Sequence, residues 1–521
     1  MKKIYTLIAV ALLASAGIQA QTIYDGALLS QHDLNGTARY VGMGGAMGAL
    51  GGDISTISSN PAGIGVFRKS EASVSMGLSY YGTEAKLQGM SWNQDKNRFD
   101  FNQIGVVLTT KVGDYTPMRY LNFGLNYQRV KSFYRNMKTQ GELGDYSQAW
   151  VMANMHNGFY GDDDVYPTGD KPWLADLGYA GYLINPVGNG KYEPIYTGGR
   201  GEFESQERGG LDRFDFNMSM NLNDRVYLGL TVGAYWVDYS KYVNYSEIYG
   251  ENPDYGGFEQ YNLKTYSGLN GAGIDLKLGI IVRPMEYSPL KLGFAIHTPT
   301  FFKLDYKTHA VLQSDIVNYG ENEDLGIGEL GLYEVSTDNL KETFQMRTPW
   351  TFQLSAGYTI GSQVALGAVY EYKDYSTIQF QDESGYADTY GLENNDFKNM
   401  LKGVHTLRLG GEFKVIPQFA LRAGYNYSTA LFDSNKAFKN LPYFSPATDT
   451  DFNNKQEQHD FTLGVGYRGR QFYIDLAYKY TTYKSDFYLF DTWNEDLQTM
   501  GIPTKTKDTR SQAILTLGYR F

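Results

Sequence analysis

Fourteen stretches of the chain alternate apolar and polar residues with a period of two, the pattern of a strand whose two faces meet different surroundings. They fall near 70–81, 101–111, 119–131, 212–222, 225–238, 265–283, 290–304, 347–359, 363–375, 404–415, 418–428, 459–468, 471–483 and 511–521. In one of them Val226, Leu228, Leu230, Val232, Ala234 and Trp236 share a parity, and Tyr227, Gly229, Thr231, Gly233 and Tyr235 take the other. In another, Phe214, Phe216, Met218 and Met220 oppose Arg213, Asp215, Asn217 and Ser219. The last sets Ala513, Leu515, Leu517, Tyr519 and Phe521 against Ile514, Thr516, Gly518 and Arg520, and stops on an aromatic residue. From the second segment onward the connections alternate in length. Short ones lie near Asn223-Asp224, Met285 to Ser288, Ile360 to Ser362, Ile416-Pro417 and Arg468 to Arg470; long ones run near 132–211, 239–264, 305–346, 376–403, 429–458 and 484–510.

Two-faced strands joined alternately by tight turns and long loops predict an all-β protein, a transmembrane antiparallel β-barrel of 14 strands over 68–521. Barrels of this kind put tight turns at the periplasm and long loops outside, with an even strand number. A soluble sandwich or propeller has no reason to segregate loop lengths. The final strand closes on Phe as outer-membrane barrels do, which marks Tyr519 and Phe521 as the membrane-insertion signal. Mean hydropathy is −0.41 and 45 Tyr and 59 Gly are present, as suits a barrel with a polar lumen, interfacial aromatic girdles and crowded strands. The absence of Cys excludes disulfides, thiol catalysis and thiolate metal sites. The acidic balance, with a pI near 5.2, argues against nucleic acid, which needs clustered Lys and Arg. No cofactor is indicated.

Residues 1–20 have the form of a cleaved signal peptide: Lys2 and Lys3, an apolar run from Ile4 to Ala16, and a small residue at Ala20. Its removal takes two lysines and no acids, so the net charge of −11 becomes −13. No Cys follows to carry a lipid anchor. Residues 21–67 carry no strand pattern. They hold Gly42, Gly44, Gly45, Gly48, Gly51 and Gly52 among Ala46, Met47, Ala49 and Leu50, and end at Asn60-Pro61-Ala62-Gly63. Gly and Ala permit close backbone approach, as a segment folded inside a narrow lumen requires. A phosphate-binding loop is a poor alternative, since no strand precedes the segment and the GxGxxG spacing is not met. These residues form the predicted hatch, with Asn60, Pro61, Ala62 and Gly63 as its gating turn; the plainer reading is that the turn merely leads into the first strand. In the longest connection, Ser147 to Met155 reads as a short amphipathic helix, either packed on the barrel rim or acting as a lid.

The segment GTARYVGMGGAMGALGGDISTISSNPAGIG (36–65) resembles the N-terminal hatch of the FadL/TodX family of long-chain fatty acid and hydrocarbon transporters, whose NPAG element is here Asn60 to Gly63. The strand pairs TPWTFQLSAGYTIGSQVALGAVYEYKDYS (348–376) and HTLRLGGEFKVIPQFALRAGYNYS (405–428) are similar to that family as well. The resemblance covers the hatch and about half of the barrel, not the long loops. It implies a monomeric barrel of fourteen strands plugged by its own N-terminus, which captures a hydrophobic small molecule through its outer loops. Movement of the hatch would then release the molecule laterally into the outer membrane. The implied function is passive transport of a long-chain fatty acid-like ligand, by a protein that is not an enzyme.

Other readings lead elsewhere. Some proteins of this fold serve a protein secretion or assembly machinery, and the long loops suit a protein partner as well as a ligand. A leaky porin is disfavoured by the hatch. Membrane-embedded hydrolases use Ser, His and Asp, which directs attention to His32, His156, His297, His309, His405 and His459; none stands in a nucleophile motif, and Thr298-Pro299 after His297 reads as a strand bend. Calcium takes clustered oxygen ligands; Asp162-Asp163-Asp164 and the pair Asp449 and Asp451 are the places to look, although acidic loop runs are usually just solvated. No metal site is assigned.

Overall fold

The computed structural model describes residues 19–160, 172–252, 257–318, 329–434, 436–491 and 503–521, and in it fourteen staves form one closed antiparallel sheet. They are β1 (Glu71–Leu87), β2 (Met90–Lys111), β3 (Met118–Ser132, continued by Arg135–Glu142), β4 (Arg200–Leu222), β5 (Val226–Asn252), β6 (Gly257–Val282), β7 (Lys291–His297, continued by Phe301–Asn318), β8 (Glu329–Ser336, Leu340–Arg347 and Thr351–Ile360), β9 (Val364–Asp374, continued by Gln379–Asp382), β10 (Gly403–Ile416), β11 (Phe419–Ser428), β12 (Phe452–Arg468), β13 (Phe472–Tyr488) and β14 (Thr504–Arg520). Each predicted segment falls on one stave. The ring closes where β14 pairs with β1, Leu517 opposite Val74 and Ser511 opposite Tyr80. Apart from Gln19 and Ala20, the predicted signal sequence lies outside the described residues, as does Asp162-Asp163-Asp164.

The two parities sort as a bilayer demands. Phe214, Phe216, Leu230, Val232, Leu515 and Leu517 are exposed on the outer face, whereas Asn217, Ser219, Thr231, Gln512 and Thr516 are buried inside. No described helix is long and apolar enough to cross a membrane; the chain crosses with strands. Periplasmic turns are tight. Between β4 and β5, Asn223 and Asp224 both take positive φ (53° and 57°), a conformation that Asn and Asp tolerate, and Asn221 Oδ1 accepts the Asp224 N–H at 2.9 Å.

The outer ends differ from expectation. Strands β5 and β6 run 27 and 26 residues, so most of 239–264 is ladder and not loop. Spanning needs only ~9–11 residues. Beyond the membrane the outer face meets water and the inner face meets other parts of the chain, so the alternation fades while the hydrogen bonding continues. The helices α1 (Ile23–Ser30) and α2 (Ala38–Gly42) belong to the segment before the barrel. Helices α3 (Gln148–Tyr160), α4 (Trp173–Ala180) and α5 (Gly391–Met400) belong to outer connections. The predicted helix at 147–155 is α3, and together with α4 it packs on the outer ends of the staves: Met152, Leu174 and Leu177 join Tyr245, Tyr261, Leu312 and Phe487 in one apolar cluster. Staves β7 and β8 both break at a proline, Pro299 and Pro349. There hydroxyls take over from the missing ladder: Thr348 Oγ1 accepts the Thr300 N–H (2.8 Å), and Thr298 Oγ1 accepts the Leu276 N–H (3.0 Å).

The outward direction of Leu515 has a measurable consequence. Leu515→Arg should destabilise the barrel by about 2–4 kcal/mol, as a basic side chain does on a lipid face near the bilayer midplane. Denaturant titration of refolded protein in phospholipid vesicles measures it; an unchanged midpoint would contradict the assigned face.

Candidate functional site

Residues 19–67 lie inside the barrel, wound against the inner face of almost every stave. What lets them approach is glycine on the wall as much as in the hatch. Gly229, Gly279, Gly367, Gly410 and Gly424, on β5, β6, β9, β10 and β11, face inward, and a Cβ at any of them would overlap hatch atoms: Pro61, Asn60, Ala46 O, Met43 O and Gly44 N. The predicted turn Asn60–Gly63 sits in the slot made by Gly229 and Gly279. Asn60 is fully buried; its Oδ1 accepts the Ala62 N–H at 3.2 Å, while its Nδ2 donates to Ile280 O at 3.3 Å. Pro61 O accepts from Ser219 Oγ (2.9 Å) and Asn217 Nδ2 (3.4 Å), and Gly63 O accepts from Gly52 N (3.0 Å). Ala62 packs on Tyr227 and Ile281. Ionic contacts fix the opposite side: Arg39 reaches Glu412 (3.0 Å), which also holds Arg422 (2.7 Å), and Arg422 holds Asp475 (2.6 Å).

A break in the wall lies beside the hatch, and nothing in the alternation announced it. Strands β2 and β3 pair only from Lys111 opposite Tyr120 up to Gln103 opposite Gln128. Above that point β2 pairs with β1 alone, and β3 with β4 alone. The register of β3 slips at Val130, after which the strand bends inward. Arg135 reaches Asp508 on β14 (2.8 Å), Thr139 Oγ1 lies 3.5 Å from Thr504 Oγ1, and the Arg98 guanidinium of β2 stacks on Tyr134 at 3.4 Å. The hatch substitutes for the missing strand along this edge. Asp33 N donates to Val130 O (3.0 Å), Ser132 N to Asp33 Oδ2 (3.3 Å), and Asn35 Nδ2 to Arg129 O (2.8 Å). At the root of the seam Ser55 Oγ donates to Gln103 Oε1 (2.8 Å), whose amide donates to Asn126 (2.8 Å).

Two cavities flank this hatch segment, of about 150 and 240 Å³. The first is lined mainly by polar and charged groups, among them Arg213, Lys277, Glu371 and Arg408; the second mixes charged groups such as Lys131, Arg135, Asp460 and Asp508 with aromatic ones such as Phe133, Tyr239 and Phe452. The apolar surface lies higher, at the barrel mouth. There Val237, Leu269, Phe302 and Leu304 pack against Ile23, Ala27 and Leu29 of α1 and against Phe397, Phe432 and Ala447 of outer connections. The apolar surface of the mouth is therefore covered by the chain itself.

The other sequence candidates are scattered. Tyr519 and Phe521 stack at 6.0 Å on the lipid face at the periplasmic end, away from the Asn60 turn. His297 donates from Nε2 to Ser59 O (2.8 Å), His405 and His459 meet the hydroxyls of Tyr370 (2.6 Å) and Tyr425 (2.8 Å), His32 stacks near Tyr235, and His309 lies tilted against Tyr266. His156 lies in α3 among Tyr160, Tyr179 and Tyr192. Asp449 and Asp451 are not solvated: Lys241 holds both (3.2 and 2.8 Å) and Lys439 holds Asp449 (3.1 Å). Among the described residues no group of three or more His, Asp or Glu is arranged to hold a metal.

Neither a protein-family model nor a curated protein sequence matches this chain. Solved structures do. A FadL homologue of Pseudomonas aeruginosa superposes with a TM-score of 0.54 at 16% identity, over 94% of this chain and 99% of that one. The toluene transporter TodX of P. putida superposes with a TM-score of 0.50 at 12% identity, over 94% and 99%. The chain thus has the FadL/TodX fold, and its apolar outer belt around a polar lumen makes it an outer-membrane β-barrel.

Two expectations test this geometry. Asn60→Ala removes a cap and the side-chain hydrogen bond to Ile280 O, which should cost about 1–2 kcal/mol; Gly229→Val should dislodge the turn while keeping the wall ladder. Both variants should stay heat-modifiable on gels yet admit a small hydrophilic antibiotic faster than wild type in whole cells, and unaltered susceptibility in both would return the turn to a purely connecting role. The second concerns α5, where Glu393 is buried at 3% exposure, both carboxylate oxygens lack a hydrogen-bond partner, and Asp396 and Glu342 add like charge. Burial pushes its carboxyl from 4.5 up to about 7, so the fold favours the protonated form. The stability it contributes is whole below about 4.5 and is lost as pH rises through about 7. Protection factors from hydrogen exchange across 391–400, with the base-catalysed rise of the intrinsic rate divided out, should therefore fall between pH 5 and pH 8 in wild type and change little in Glu393→Gln.

Proposed function

We propose that this protein is a passive outer-membrane transporter of hydrophobic small molecules, with a long-chain fatty acid-like compound as the leading class. The chain is gated by its hatch at about 21–67, and the ligand leaves sideways between β2 and β3. The observation that carries this reading is the coincidence of a plugged lumen with a wall seam whose free edge is held by the plug itself. In a bilayer an unpaired strand edge is costly unless it faces protein or a wet cavity. A seam kept closed by Asp33 and Asn35 is therefore a point where a small movement of the hatch opens the wall. The neighbours in structure support the ligand class: one is named a toluene transporter, another a FadL homologue.

The ligand's path begins at the mouth, where it exchanges with α1 side chains. Each CH₂ it buries returns ~0.8 kcal/mol, so a long chain competes with Ile23 and Leu29 without an energy source. Transport of this kind requires no bond making. The fatty acid class, the gating role of Asn60–Gly63 and lateral release are parts of the proposal; the alternative is a barrel of the same fold serving protein secretion or assembly through its outer connections.

A disulfide across the hatch and wall tests gating in a chain that has no Cys of its own. A Cβ on Gly48 would lie 2.9 Å from that of Ser355 on β8, close enough to bridge with a small shift. Gly48→Cys/Ser355→Cys should lose most uptake of radiolabelled oleate when oxidised and regain it on reduction. Full uptake by fully cross-linked protein would refute hatch gating, and absence of uptake in wild type together with a stable protein partner would favour the alternative.

A further inference from the structure

The periplasmic rim carries a charge opposite to that of the chain. Residues 68–71, 111–120, 222–227, 282–291, 360–364, 414–419, 468–472 and 519–521 hold eleven Lys and Arg against four Asp and Glu. Their side chains therefore amount to +7 in a chain of −11, and everything else carries −18. Among the described residues three of the eleven cations meet a carboxylate: Arg68 pairs with Asp224, Lys111 with Asp114 (2.7 Å) and Arg520 with Glu71 (2.7 Å). Arg470 is one of those that do not. It occupies the exposed turn between β12 and β13, which Gly469 N–H closes by donating to Phe472 O (2.8 Å). Arg470 also lines the periplasmic end of an apolar groove of about 730 Å³ on the outer face of the wall, where β13, β14 and β1 meet. Side-chain size makes the groove. On the lipid face Val74 lies opposite Leu517 on one side and Ile104 on the other. Ala72 lies opposite Tyr519, which in turn faces Phe472, with ring centroids 4.7 Å apart.

Lipid is the medium that meets this face, so a hydrocarbon chain is what fills a trough of short residues between longer ones; its contacts with the lining replace a void. A guanidinium without a carboxylate at the membrane–water boundary accepts a phosphate as a bidentate partner. A basic rim adds a longer-ranged attraction, felt over a Debye length of ~8–10 Å, for head groups that carry net negative charge. A zwitterionic head group gains from the first effect and not from the second. We infer that the groove binds one anionic phospholipid of the periplasmic leaflet, with an acyl chain over Ala72 and Val74 and the phosphate on the Arg470 guanidinium. The inference goes beyond the transporter reading and does not depend on what the barrel carries. The bound lipid lies across the β13–β14–β1 pairing that closes the sheet, and its head group holds the rim at the level of the periplasmic leaflet.

The test uses full-length protein in a non-ionic detergent, offered equal amounts of dioleoyl phosphatidylglycerol and dioleoyl phosphatidylcholine, with the retained lipid counted by native mass spectrometry. The expected result is one phosphatidylglycerol held about tenfold more tightly than phosphatidylcholine, the scale of one charge-assisted bond. Arg470→Gln should remove most of that preference. Lys414→Gln takes the same charge from a different turn and should leave the preference as it was. Val74→Trp fills the trough and should lower retention of both lipids. Each variant is scored only where the barrel remains heat-modifiable. Equal retention of the two lipids by wild type, or retention of neither, overturns the inference. An equal loss of preference in Lys414→Gln and Arg470→Gln overturns it too, since the rim then acts as diffuse charge and the groove is no site. Co-purification of an acidic protein in place of lipid also overturns it and makes the rim a protein-binding face. The comparison of two head groups on wild-type protein keeps the test decisive even if a variant does not fold.

Discussion

Everything in this molecule follows from the need to pair every backbone N–H and C=O inside a bilayer that offers no water. The sheet must close, and β14 meets β1 to do so. Side chains must then alternate, apolar outward and polar inward, along all fourteen staves. Where pairing fails, something else must supply it. Hydroxyls of Thr298 and Thr348 do so at the two proline breaks of β7 and β8. At the β2–β3 seam the substitute is the hatch, through Asp33 and Asn35. The first repair is built into the wall and is permanent. The second belongs to a segment that is not part of the wall, so the bonding of the seam depends on where that segment sits, whereas that of the proline breaks does not.

The polar parity also decides how a plug is held. A segment inside such a barrel finds only small apolar contacts on the wall, such as Ala62 on Tyr227 and Ile281 or Val41 with Ala477 and Ile514, since most inward positions there are Asn, Ser, Thr and charged residues. It is seated by backbone contact on wall glycines and by buried ion pairs such as Arg39–Glu412–Arg422–Asp475. Buried pairs of this kind return little net stability because desolvation offsets their attraction, but breaking one strands a charge and is expensive. They fix one register of the hatch. The apolar mouth works in the opposite way: α1 rests on Val237, Phe302 and Leu304 through non-directional contacts that a hydrocarbon chain reproduces equally well. One end of the plug is therefore held by directional contacts and the other by non-directional ones.

Much of the wall was legible in the chain because alternation is enforced residue by residue by the membrane. Phe214, Leu230 and Leu517 read outward from their neighbours alone, and the glycine-rich stretch ending at Asn60–Gly63 read as a plug from its small residues. The long outer extensions of β5 and β6 were not legible, since outside the bilayer no apolar phase imposes a period of two. Asp449 and Asp451 looked like solvated loop acids; their partners Lys241 and Lys439 include one 208 positions away in sequence, a distance no local pattern spans.

The sequence by itself determined the class of fold, the number of staves, which face of each strand meets lipid, and which segment fills the lumen, because each of these depends on neighbours two or a few residues apart. Tertiary structure alone decided where the pairing of the wall stops, which wall glycines receive the hatch, and which lysines share a cavity. Strand β3 carries an unbroken pattern through Lys131, yet it leaves β2 at Gln128 because of a one-residue register slip at Val130 and contacts with Asp508 and Thr504 on β14. Lys131, Lys455 and Lys479 come from three different staves and meet only because the barrel closes. Closure is a property of the whole sheet, and no stretch of sequence contains it.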